Sequence, residues 1–109
     1  MTRAADLDAV RREGKRIRTP HLEVRYIASL SLLSRIGIIV PRHKQSAVAR
    51  NKVKRRLREL SRTTLLPVLV GVPPLDVVLR AAPEAYRADH ATLAADVQRV
   101  IERLGGGRT

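Results

Sequence analysis

A chain of 109 residues carrying 22 Lys and Arg against 10 Asp and Glu has a formal net charge of +12 and a pI near 11.6, values that suit one small domain facing a polyanion. It contains no Cys, Phe or Trp and only two Tyr, which excludes a disulfide framework, a disulfide-linked partner and thiolate metal sites, and argues against reading single-stranded bases mainly by aromatic stacking. The first residues lack an apolar signal region and no apolar run approaches a membrane span, so the expectation is a cytoplasmic soluble protein with residues 1–109 as a single domain.

In chain order, residues 4–13 predict a first helix with Leu7 and Val10 inward and Gly14 ending it. Residues 15–18 allow a short strand. After Pro20, the alternation of Leu22, Val24 and Tyr26 predicts a half-buried strand with Glu23 and Arg25 outward. Residues 29–34 read as a turn, and the apolar run 36–40 as a strand closed by Pro41.

Residues 42–45 form a loop leading to the most informative segment. Between Arg42 and Arg62 lie nine Lys/Arg and one acid, Glu59, a net +8 of the chain's +12. At 100° per residue, Ala49, Val53, Leu57 and Leu60 fall within about 80° of arc and make a core stripe. Asn51, Lys54, Arg55, Arg58 and Arg62 lie opposite, with Arg50 and Lys52 on the flanks. A solvated helix face normally mixes signs, whereas this one repels itself unless a polyanion neutralises it. Guanidinium forks suit phosphate geometry, and Asn51 is a neutral hydrogen-bonder among them.

The basic helix is expected to fade near Leu66-Pro67, with residues 67–74 a Pro/Gly-rich loop. Residues 75–79 predict a strand whose apolar run suits a central place in a sheet. Pro83 interrupts, and Asp89 is a candidate N-cap for a last helix with Leu93, Val97, Val100, Ile101 and Leu104 on one face. Gly105 is read as its stop, with 105–109 a flexible tail. The order α-β-β-β-α-β-α predicts an α+β or α/β sandwich of helices against one small sheet.

No constellation for water activation or metal binding is legible. His21, His43 and His90 sit on separate elements, the acids are dispersed, and Asp76 inside an apolar strand suggests a structural pairing or an edge position. No catalytic residue and no protein-held metal is assigned.

Residues 47–59, Ala-Val-Ala-Arg-Asn-Lys-Val-Lys-Arg-Arg-Leu-Arg-Glu, resemble the signature of the bacterial ribonuclease P protein component, A-V-x-R-N-x-x-K-R-x-x-R-E. Arg50, Asn51, Lys54, Arg55, Arg58 and Glu59 fill its fixed positions. The strands at 35–40 and 75–80 and the first and last helices resemble the same family. The resemblance implies an α+β single domain with a four-stranded mixed sheet, of the kind seen in the second domain of ribosomal protein S5, with a left-handed crossover that the usual handedness rule would not give. It also implies the non-catalytic subunit of an endoribonuclease, partnered by a catalytic RNA that removes the 5′ leader of precursor tRNA using Mg²⁺ held mainly by the RNA. Arg50, Asn51, Lys52, Lys54, Arg55, Arg58 and Arg62, with Arg42 and Lys44 from the loop, are the implied RNA-binding residues. Leu7, Arg11 and Tyr26 are implied for a leader cleft between the sheet and the first helix. The family usually has aromatics where Leu7 and often Arg11 stand, so Tyr26 is left as the cleft aromatic, and Pro41-Arg-His-Lys-Gln45 replaces the family's S-K-K-x-G loop.

Two other readings share parts of this pattern. A ribosomal-type structural RNA-binding protein would have the same charge and size without a role in tRNA processing. A membrane-surface binder would need bulky apolar residues on its basic helix, but Ala49, Val53, Leu57 and Leu60 are committed to the core.

Overall fold

A computed structural model of the chain describes residues 10, 12–29, 32–69 and 73–106. The expected first helix falls largely outside these residues, Leu7 and Arg11 included. Val10, Arg12 and Glu13 are helical, and the turn closes where Gly14 N–H donates to Val10 O at 2.9 Å. Gly14 is required by space: a Cβ there would lie 2.4 Å from Val10 O and 2.9 Å from Tyr26 O, both backbone atoms. Gly14→Ala is therefore expected to cost about 1–3 kcal/mol, as overpacking against backbone does, and a thermal melt checks it.

Strands β1 (Lys15–Arg18), β2 (Leu22–Ala28), β3 (Arg35–Ile39) and β4 (Leu75–Ala81) form one mixed sheet of order β1-β2-β4-β3. β1, β2 and β4 pair antiparallel, whereas β3 pairs parallel to β4. The apolar run of β4 does occupy the interior of the sheet, with Val77 and Leu79 fully buried.

Helix α1 (Ala47–Leu60) connects β3 to β4 and begins at Ser46, whose Oγ accepts from Ala49 N–H at 3.1 Å. It does not end near Leu66-Pro67. A π-helical segment, Ser61–Leu65, carries it into a short helix α2, Leu66–Leu69, so the expected loop from residue 67 begins later. In a regular α-helix Pro67 would lack a donor and press its ring on the carbonyl of Thr63. The wider turn, in which Leu66 N–H donates to Ser61 O, puts Pro67 in the opening turn of α2, where no donor is needed. Leu65 and Leu69 stay in the core as a result.

Helix α3 (His90–Gly106) is capped by Asp89, whose Oδ1 accepts from Thr92 N–H at 2.8 Å. It runs one residue past Gly105, the stop that the sequence predicts. A 3₁₀ turn at Pro83–Arg87 precedes it, and the alternation pattern gave no sign of that turn.

The core lies on one face of the sheet. Ile17, Leu22, Val24, Val77, Leu79 and Ala81 pack with Val53, Leu57 and Leu60 of α1 and Leu93, Val97 and Val100 of α3. Burial of these aliphatic side chains, each worth about 1.5–3 kcal/mol, is the main stabilising term in a core without Phe or Trp. A buried polar tie reinforces it: Asp96 Oδ2 on α3, 2% exposed as a residue, accepts from Thr19 Oγ1 at 3.0 Å and His21 N–H at 2.8 Å and lies 2.9 Å from His21 Nδ1. His21 thus serves to fasten the β1–β2 turn to the last helix. Among the described residues no helix is long and apolar enough to cross a membrane.

Candidate nucleic-acid interface

The basic helix is oriented by its apolar stripe. Val53, Leu57 and Leu60 are buried, Ala49 is half-buried, and the opposite side faces solvent with Asn51, Lys52, Arg55, Arg58 and Arg62 exposed and Lys54 half-buried. Lys52, Lys54, Arg55 and Arg58 make no hydrogen bond or ion pair with other described residues, so their charges stand available to a ligand. Arg62 is less available, because its Nη2 donates to both carboxylate oxygens of Glu59 at 2.9 and 3.0 Å.

Two arginines of this helix also serve the fold. Arg50 Nε donates to Val40 O at 2.8 Å and pins the first turn of α1 to the end of β3. Arg56 Nη1 donates to Ala88 O at 3.0 Å, holding the approach to α3. The wheel places Arg50 on the flank and the family resemblance implies that it binds RNA, but only the packed structure shows that its guanidinium is shared with the scaffold.

The loop before the helix bends sharply. His43 and Lys44 take φ values of 48° and 66°, a left-handed pair that costs non-glycine residues about 1–2 kcal/mol each. Contacts of His43 hold the bend: its ring meets Tyr86 edge-on at 6.2 Å, its Nε2 lies 3.3 Å from Ala81 O, and Tyr86 Oη donates to Pro41 O at 2.6 Å. Both Arg42 and Lys44 are thereby presented to solvent, Arg42 lining a shallow depression with Arg50.

Tyr26 does not lie on an open face. It shares the sheet face of Leu22 and Val24, stands opposite Val77 in the ladder, and packs half-buried against the core. The outward residues of the same strands make the second face, where Glu23, Arg25, Ile39, Val78 and Arg80 line a depression of about 160 Å³. Burial raises the affinity of the Glu23 carboxyl for its proton, yet the hydrogen bond and charge of Arg25, then the charges of Arg16 and Arg18, outweigh it and hold the group below its usual range. Arg80 also lines a shallow depression with Arg42 and Arg50 at the end of β3, so cationic surface continues from the basic helix onto this second face. Outward alternation marks Arg25 as exposed, but its relation to Arg80 depends on a strand pairing that residue spacing does not reveal.

A ribonuclease P family model matches residues 1–105 of the chain. The chain belongs to the ribonuclease P protein family. A ribonuclease P protein component from Streptomyces avermitilis is 49% identical over 76 residues, covering 68% of this chain and 58% of that protein. Another, from Mycolicibacterium paratuberculosis, is 33% identical over 98% of this chain and 92% of its own length. The chain spans little more than half the length of the Streptomyces avermitilis relative and of one from Thermus thermophilus, at 58% and 53%. Among solved structures, a ribonuclease P protein from Thermotoga maritima in complex with 1-(4-fluorophenyl)-2-thiourea superposes with a TM-score of 0.80 at 26% identity, over 94% of this chain and 97% of that one. One from Staphylococcus aureus gives 0.82 at 20% identity, over 95% and 93%, a likeness of fold. Small α+β architecture with a four-stranded mixed sheet is therefore common to this chain and the ribonuclease P proteins of known structure.

Proposed function

We propose that this chain is the protein subunit of a ribonuclease P ribonucleoprotein, binding the catalytic RNA through α1 and its preceding loop and assisting removal of the 5′ leader from precursor tRNA. The observation that carries the reading is the coincidence of the family signature with one solvent-facing side of α1: Asn51, Lys54, Arg55 and Arg58 face outward while Val53 and Leu57 between them are buried. Such a surface positions phosphates by charge and fork geometry without reading sequence. The family match over residues 1–105 favours it over a ribosomal-type role.

Leader contacts are better assigned to the second face of the sheet, at Arg25 and Arg80, than to Tyr26, because that face has cations and a depression where Tyr26 has core contacts. Leu7 and Arg11 lie outside the described residues and are not used.

Hydrolysis belongs, on this reading, to the RNA and its Mg²⁺. Four carboxylates of the described residues are already engaged within the fold: Asp76 faces Arg35, Asp96 faces His21 and Thr19, Glu59 faces Arg62, and Glu23 faces Arg25. Each of these four is neutralised by a cation or held by donors, whereas a protein-held Mg²⁺ usually takes one or two carboxylates that are free to coordinate it. The test is reconstitution. Chain alone, incubated with precursor tRNA and Mg²⁺, is expected to cut nothing, and chain with catalytic RNA to release the leader at one site. Site-specific cleavage by the chain alone would reverse the division of labour.

A further inference from the structure

Ser61 is 4% exposed, and its Oγ has no hydrogen-bond partner among the described residues, an unfavourable state for a buried hydroxyl. Its neighbours solve the same problem locally. Thr63 Oγ1 donates to Glu59 O at 2.8 Å and Thr64 Oγ1 to Leu60 O at 2.5 Å, the backward bonds that helical hydroxyls usually make. Ser61 opens the π-helical segment, a local widening that recurs at functional sites.

The residue also lies in the wall of a groove of about 540 Å³ between the helix and β3. Ile36 and Ile38 supply an aliphatic floor, Leu66 stands at the rim 39% exposed, and Lys54 and Arg58 line the side toward solvent. β3 is an edge strand of the sheet, with β4 as its neighbour on one side.

We propose that this groove receives one unpaired nucleotide of an RNA strand, its base against Ile36, Ile38 and Leu66, its phosphate between Lys54 and Arg58, and Ser61 Oγ bonded to its base edge or 2′-hydroxyl. The proposal rests on the ribonuclease P reading and adds a selection that charge alone does not provide. A cationic helix face binds paired and unpaired RNA alike through phosphate, whereas an apolar slot with one buried hydroxyl can be filled only by a base that is free to leave its stack. Because the hydroxyl has no partner among the described residues, its hydrogen bond is gained on binding.

The test uses the full chain, a short oligouridylate and an RNA duplex of equal length, with affinities from fluorescence anisotropy. Ser61→Ala removes an unpartnered hydroxyl, so it is expected to fold with an unchanged or higher Tm while weakening oligouridylate binding about 2- to 12-fold, the worth of one hydrogen bond, and leaving duplex binding unaltered. Leu66→Glu, at the exposed rim, is expected to weaken the single strand more than the duplex and gives a second reading that does not depend on Ser61. Equal losses for both RNAs, or oligouridylate binding unchanged in both variants, would overturn the nucleotide site. Failure of the unaltered chain to bind catalytic RNA, measured alongside, would overturn the ribonuclease P reading and the site with it.

Discussion

Affinity of this chain for catalytic RNA is expected to fall by about 10³ between 50 and 200 mM salt, the lower end of the range for a protein that displaces about six or more counterions. The contacts come from the structure: Lys44, Lys52, Lys54, Arg55 and Arg58 reach solvent or line a groove, as does Arg42 beyond one long bond to Gln45 O at 3.4 Å, whereas Arg50, Arg56 and Arg62 each give part of their bonding to Val40, Ala88 and Glu59. Arg58→Ala should lower the magnitude of the salt slope by about one and leave Tm in place, since the side chain lies opposite the buried stripe. Arg50→Ala should lower both, because it also removes the bond to Val40 O at 2.8 Å. A lowered Tm for Arg58→Ala with an unchanged slope would make that residue part of the scaffold and remove it from the interface.

Replacing Asp76 by Asn is expected to destabilise the fold by about 3 kcal/mol, the low end of the range for breaking a buried ion pair, because Arg35 keeps partial access to water. The pair spans the parallel β3–β4 ladder. Arg35 Nε donates to Oδ1 at 2.9 Å and Nη2 to Oδ2 at 2.6 Å, with the Asp76 side chain 8% exposed and that of Arg35 32% exposed. The Arg35 hydrogen bonds, helped by Ser29 against the opposing effect of burial, hold the Asp76 carboxyl below its ordinary 3.8. A depressed folded-state value means that the stabilisation is fully present above 3.8, the unfolded reference, and is lost as the pH falls through the folded value. The gap in stability between the parent chain and Asp76→Asn should therefore be constant near neutrality and shrink in acid, as denaturant melts at several pH values would measure. A gap that stays constant into strong acid would show that the ionised pair is not its source.

Strand and helix positions were legible wherever burial is periodic. Alternation at Leu22, Val24 and Tyr26 and the helical stripe at Val53, Leu57 and Leu60 both reflect one solvated and one covered side, and each element stands where its period predicts. Helix ends were less legible. Pro67 and Gly105 are ordinary stop signals, yet both helices run past them: the π-helical turn places Pro67 where no donor is needed, and Leu69 beyond it is buried. Tyr26 shows the same limit at the level of the site. A period of two says which residues share a face, and says nothing about which face the helices will cover.

The residues alone decided the chemistry on offer: an excess of positive charge concentrated on one helix, an aliphatic core to hold that helix, and a signature whose fixed positions all fall on its outer and flanking sides. These follow from composition and spacing, which are local. Tertiary structure decided the rest, because it depends on contacts between distant parts of the chain: that Tyr26 packs half-buried against the core, that Arg80 joins two depressions, that Arg50 and Arg56 are shared with the scaffold, and that Ser61 is buried beside a groove without a partner among the described residues. Each of these turns on which strand edge, carbonyl or helix comes to rest beside a side chain, and only the packing of the sheet against its helices settles that.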